Sequence, residues 1–332
     1  MHAEQHKEIG KPLDYLRLVR IWNLPTAIAD SFAGYLLVDR SLDITARLGE
    51  HETRLLGVML ISALIYAAGM VWNDIFDAER DKTLHPDLPI PSDAIDRGIA
   101  IRFGLGLVAA GLFVSLLVGL HVLLLTMVLV ALTFIYNGWL KHHGFVGCLA
   151  MGSCRFVNMW LGIAAAGGWL GPAPIEQQEL TGNLLTFPAT LGLYVTAVTL
   201  LSLLEESKIG RWGFYSVIGV LLATLLPLVA ITMMVHFKAP LLGDEPQSWV
   251  SLVPLTTLVV WLIVTAVPVG RHMSAGTIGG VVRTALTGII LLDSAMLFVR
   301  DSQLAGAMCA LLVVPAIVMI RLIARRPSTA PV

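Results

Sequence analysis

The sequence predicts an all-α protein, a polytopic membrane helical bundle of nine or ten transmembrane helices around a central cavity. Two observations carry that expectation. Of the 332 residues, 56% are hydrophobic and only 14% are charged, whereas soluble domains carry about 25% charged residues. Apolar segments near the ~20 residues that cross a bilayer also recur from end to end. The more polar stretches, at about 39–53, 77–98, 167–184 and 236–249, are each too short to hold a separate core. Residues 16–323 therefore read as one transmembrane domain, between a cytoplasmic N-terminal segment (1–15) and a cytoplasmic tail (324–332).

Ten spans are expected, at 16–38, 54–76, 99–118, 120–138, 145–166, 185–206, 212–235, 250–269, 278–299 and 303–322. The first follows a polar stretch, Met1–Lys11, that lacks a cleavable-signal pattern, so it is read as a retained span. The second leads from apolar residues straight into an acidic sequence. Only Gly119 separates the third from the fourth, which makes them an antiparallel pair. Arg155 and Asn158 interrupt the fifth, and Glu205-Glu206 close the sixth. Arg283 near one end makes the ninth the weakest span, and Asp293 sits inside it. Cys148, Cys154 and Cys309 lie within or beside apolar runs at no ligand spacing and read as small buried hydrophobes.

Basic residues set the orientation. With the N-terminus in the cytoplasm, 15 Lys and Arg fall on the inner side, Arg20, Arg80 and Lys141 among them, and five on the outer side. Both acidic sequences then open toward the cytoplasm.

The most specific feature is Asn73-Asp74-Ile75-Phe76-Asp77-Ala78-Glu79-Arg80-Asp81. At 100° per residue, Asp74, Asp77 and Asp81 lie within about 60° of one another on a helix. Three carboxylates on one stripe repel, and a cation, most simply Mg²⁺, would neutralise them. Hard oxygen ligands usually hold Mg²⁺ together with a substrate's phosphates. The stripe therefore points to a diphosphate site at a membrane surface.

Asn-Asp-x-x-Asp-x-x-x-Asp after the small-residue lead-in Ala68-Gly69-Met70-Val71-Trp72 resembles the first aspartate motif of the UbiA superfamily of intramembrane aromatic prenyltransferases. Tyr136-Asn137-Gly138-Trp139-Leu140-Lys141 resembles that family's tyrosine-to-lysine segment, and Glu205-Glu206 stands where a second acidic motif is expected. The chain departs from the pattern in two places. Leu88 and Asp93 replace an Arg and a Gly around Pro89, and adjacent glutamates replace spaced aspartates. Such departures suggest a divergent branch, such as the UbiA-like proteins of the Ebo gene clusters.

The resemblance implies a Mg²⁺-dependent prenyltransferase that moves an isoprenoid chain from its diphosphate to a small or lipidic acceptor within the bilayer. The alternative is a UbiA-like carrier or assembly protein that binds a lipidic precursor without turnover. Asp74, Asp77 and Asp81 would be the catalytic metal ligands, with Glu205 and Glu206 holding a second Mg²⁺. Only one of those two neighbours would face the site, since adjacent helical residues diverge by about 100°. Asn23, Asn73, Arg80, Tyr136, Lys141, Arg155 and Asn158 are the expected substrate-binding residues. Polar groups within spans are costly and mark function, although Arg155 and Asp30 would equally serve as a structural pair.

No Walker-type loop, strand-associated Gly-x-Gly-x-x-Gly or zinc spacing occurs, and the basic residues are too dispersed for a nucleic-acid face. The expected setting is a bacterial inner membrane, with the active site toward the cytoplasm. The ten-span topology is checked by single-cysteine accessibility labelling. Positions 50 and 175 should label from outside and position 328 from inside, whereas outside labelling at 328 would reduce the count to nine.

Overall fold

The computed structural model describes residues 10–39, 49–167, 184–205, 210–238, 249–270, 273–300 and 302–324, and among them there is no strand. The helices are α1 (Pro12–Leu18), α2 (Leu24–Leu36), α3 (Glu50–Leu84), α4 (Arg97–Val118), α5 (Leu120–Gly138), α6 (Phe145–Ala165), α7 (Thr186–Leu203), α8 (Arg211–Ala223), α9 (Leu226–Lys238), α10 (Leu252–Ala266), α11 (Ala275–Val299), α12 (Gln303–Leu311) and α13 (Val313–Met319). Each expected span has a helix at its place. Among the described residues, eight helical stretches are long and apolar enough to cross a membrane, with α8–α9 and α12–α13 each forming one broken stretch. The first and eighth expected spans are shorter, because α2 has 13 residues and α10 has 15.

Local chemistry explains the breaks. The first span is interrupted at Arg20, whose φ of 48° is left-handed, a conformation costing a non-glycine residue roughly 1–3 kcal/mol. Pro25 then lies in the first turn of α2, where its missing N–H costs nothing. Pro227 and Pro315 lie just past the breaks in the two divided stretches.

The ninth expected span was judged the weakest because of Arg283, and the structure reverses that judgement. Helix α11 is the most enclosed of the membrane-length helices, packed among α2, α7, α10 and α12. Arg283 is exposed, so its charge stays off the helix's buried face. Helices α4 and α5 are the opposite case, turning Phe113, Leu116, Leu117, Leu120 and Leu124 outward. These are the lipid-facing surfaces of the bundle.

Small residues set the helix spacing around the centre, as expected where lipid is as apolar as the helix faces. A Cβ on Gly34 would run into the Met159 carbonyl, and one on Gly162 into the Ser31 carbonyl, so α2 and α6 touch backbone to backbone. Gly152 meets Gly192 and Thr196 in the same way between α6 and α7. Asn137 ties α5 to α3 by donating from Nδ2 to the Gly69 carbonyl at 3.2 Å.

The loop after α3 explains one departure of the sequence. Asp93 stands where the resembling family has Gly, and its φ is 58°. Aspartate is among the few L-residues that visit this region readily. Ile90 and Ile95 on either side are buried with Leu18, Val71 and Ile75, so the loop is packed against α3.

Because α2 and α6 have no room between them, Gly162→Leu should destabilise the bundle by more than about 2 kcal/mol. Thermal unfolding in detergent measures this, and an unchanged midpoint would show that the helices can separate freely.

Candidate active site

A cavity of about 270 Å³ opens among α2, α3, α5 and α6, closed by α7 and α11. It follows α3 from Ser62 to Asn73, a helical rise of roughly 16 Å. Arg20, Asn23, Asn73 and Tyr136 line the end nearest the acidic stripe. Ile65, Leu129, Met151, Val195, Val198, Val282 and Leu286 make the rest largely apolar. Such a chamber suits a molecule with a polar head and an apolar tail.

The acidic stripe lies on the unbroken helix α3, so Asp74, Asp77 and Asp81 keep their helical spacing. Asp74 is 1% exposed and Asp81 is 8% exposed. Two cations from other parts of the chain meet these acids. Arg20 Nη2 lies 3.0 Å from Asp74 Oδ1, and Lys141 Nζ lies 2.7 Å from Asp77 Oδ2. Asn73 Nδ2 donates to the same Asp74 oxygen at 3.3 Å. Asp81 stands within electrostatic range of Asp77 and Arg20, and Tyr136 within range of Arg20 and Asp77. Arg20, read from the sequence only as an inner-side charge, thus belongs to the site, and its left-handed backbone serves that placement. Its signal in the sequence was proximity to Asn23 on the first span.

A second polar group forms the inner wall. Arg155 donates from Nη1 to Asp30 Oδ2 at 2.8 Å and from Nη2 to Thr26 Oγ1 at 3.0 Å. Asn158 donates to the same Asp30 oxygen at 3.0 Å and to the Ala27 carbonyl at 2.9 Å. Arg155 also lies over the Tyr66 ring, 5.3 Å from its centroid, while Tyr66 reaches Asn23 by a side-chain hydrogen bond. Arg155 pairs with Asp30 and also lines the cavity.

Two expected site residues lie elsewhere. Arg80 is exposed on α3 and, like the three aspartates, is not among the cavity-lining residues; it stands about 60° around the helix from Asp77. Glu205 lies beyond the last residue of α7, in a turn where its N–H donates to the Ser202 carbonyl at 3.1 Å. The 100° argument for the glutamate pair therefore does not apply, because the helix has ended. Glu205 packs toward Gly279 of α11, and Ser202 and Thr199 present the polar atoms of α7 to the cavity. Glu206 lies outside the described residues.

Among the described residues no three His, Cys, Asp or Glu side chains converge closely enough to hold a metal ion by themselves. The oxygen-only donors of the stripe are of the right chemistry for Mg²⁺.

The fold and cavity define an integral membrane helical bundle with a largely apolar chamber that is polar at one end. The sequence profile of the UbiA prenyltransferase family matches residues 34–275, and the chain belongs to that family. It is similar to the digeranylgeranylglyceryl phosphate synthase of Sulfolobus acidocaldarius, at 31% identity over 47% of this chain and 54% of that protein. The enzyme of that name from Metallosphaera sedula is 33% identical over 47% of this chain and 53% of its own length. The chain thus spans about half the length of the curated relatives it matches. Among solved structures, a UbiA homologue from Aeropyrum pernix superposes with a TM-score of 0.55 at 16% identity, covering 82% of this chain and 96% of that one. These relatives are archaeal, so the expected bacterial inner membrane has no support.

If Arg20 is the charge partner of Asp74, Arg20→Gln should cost about 1–3 kcal/mol by leaving a buried carboxylate uncompensated. Adding Asp74→Asn should recover most of that loss. A double-mutant cycle of thermal unfolding measures the coupling, and strictly additive effects would refute the pair.

Proposed function

We propose that this chain is a Mg²⁺-dependent prenyltransferase that moves an isoprenoid chain from its diphosphate to a lipidic acceptor inside the membrane. The observation that carries the reading is the cavity itself. Its polar end is lined by Arg20 and Asn73, which bond Asp74 of the acidic stripe, and Lys141 pairs with Asp77 of that stripe.

Asp74, Asp77 and Asp81 are the proposed metal-holding residues, with Glu205 and Glu206 the candidates for a second ion. Mg²⁺, when bound, supplies Lewis-acid stabilisation of the departing pyrophosphate. Arg20 and Lys141 already stand at hydrogen-bonding distance from two of the acids, which places them to take diphosphate oxygens once the acids hold the metal. Asn73 fixes the Asp74 carboxylate by its hydrogen bond. The apolar walls keep water from an allylic cation, and Tyr136 borders the polar end where the cation forms. Asn23, Arg155 and Asn158 offer the polar contacts of the inner wall, and Arg80 is the weakest of the proposed set. The names of the two relatives favour a glyceryl phosphate lipid as acceptor. The distribution of basic residues favours a site facing the cytoplasm.

The test uses purified protein, Mg²⁺, a panel of isoprenoid diphosphates and a glyceryl phosphate ether acceptor, with pyrophosphate release and product mass as readouts. Turnover should depend on Mg²⁺, and Asp77→Asn should lower it at least a hundredfold, a barrier change of about 2.7 kcal/mol. Replacement of Glu205 and Glu206 by Gln in turn identifies which one supports a second ion. Binding without pyrophosphate release from any substrate would replace the enzyme with a carrier.

A further inference from the structure

We infer that Asp30 and Asp293 share one proton, forming a carboxyl–carboxylate pair in the bilayer core whose remaining negative charge Arg155 balances. The inference does not rest on the proposed reaction.

Both carboxyl groups are 0% exposed, Asp30 on α2 and Asp293 on α11. The two helices pack against each other, and the two carboxyl groups interact across that contact. Asp30 Oδ2 accepts from Arg155 and Asn158, but no donor among the described residues reaches Asp30 Oδ1 or either oxygen of Asp293. Three unpartnered carboxylate oxygens at one buried place are costly. One proton between the two acids supplies the missing donor.

Charge counting gives the same answer. Two carboxylates and one guanidinium leave an excess negative charge with no water to screen it, and two adjacent buried acids do not both ionise. The other groups facing the pair do not relieve it. Cys309 on α12 directs its thiol to the Ile290 carbonyl at 3.7 Å. Tyr66 on α3 reaches Asn23 and stands beside Arg155. Arg155 on α6 is committed to the other Asp30 oxygen and to Thr26.

The proton belongs to Asp293 in the simplest arrangement, because Asp30 carries the ion pair. Asp293 then acts as a neutral donor that joins α11 to α2, and Asp30 holds Arg155 in the cavity wall. Asp293 is a positioning residue that acts through Asp30 on a cavity-lining group.

Infrared spectroscopy of the full-length protein in lipid nanodiscs at neutral pH tests the inference. The wild type should show the carbonyl stretch of a protonated, buried carboxylic acid, shifted by exchange into D₂O, and Asp293→Asn should abolish that band. Asp293→Asn should keep the wild-type melting temperature, because the amide is neutral and still donates to Asp30. Asp30→Asn should lower it, because Arg155 loses its counterion. Absence of the band in the wild type, its persistence in Asp293→Asn, or an Asp293→Asn loss as large as that of Asp30→Asn would each overturn the shared proton.

Discussion

Compensation of charge inside a low-dielectric bundle is the constraint on which the rest of this structure depends. Moving one ion from water to such a medium costs several kcal/mol even after relaxation. The chain nevertheless buries Asp30, Asp74 and Asp81 within or beside its membrane helices. Two of these acids meet a cation from a remote part of the sequence: Arg20 is 54 residues from Asp74, and Arg155 is 125 residues from Asp30. Asp77, with its side chain 15% exposed, meets Lys141. These pairs fix which helices surround the cavity and in what rotation, since a partner left alone would carry the full desolvation cost.

The same pairs give the cavity its two characters. Arg20, Asn73 and Tyr136 make one end polar, while Val195, Val282 and Leu286 leave the depth apolar. Glycine contacts at Gly34, Gly152 and Gly162 let α6 pack directly against α2 and α7, which holds Arg155 and Asn158 at a fixed depth in the wall. The left-handed Arg20 shows local strain placed at the site and held there by an ion pair to Asp74.

The helices were legible because twenty-residue apolar runs have one physical solution in lipid: every backbone N–H and C=O must be bonded within the segment. The acidic stripe was legible because helical spacing places Asp74, Asp77 and Asp81 on one face whatever surrounds them. Spacing also brought Arg155 and Asn158 together, since they sit at i and i+3 of one helix. The end of α7 before Glu205 was not legible, because the sequence carries no sharp stop after Leu203. The ninth span was underrated because hydropathy counts Arg283 without knowing that it is exposed on α11.

Sequence alone thus determined that this protein crosses the membrane many times and carries an acid-rich site at a helix end, because both follow from composition and local periodicity. Tertiary structure alone decided that Arg20 answers Asp74, that Lys141 answers Asp77, and that Asp293 faces Asp30. Those pairings join residues tens to hundreds of positions apart, and no local rule sets the rotation of one helix against another. That rotation is settled by glycine contacts and by the cost of an unpaired buried charge, both of which exist only once the helices have met.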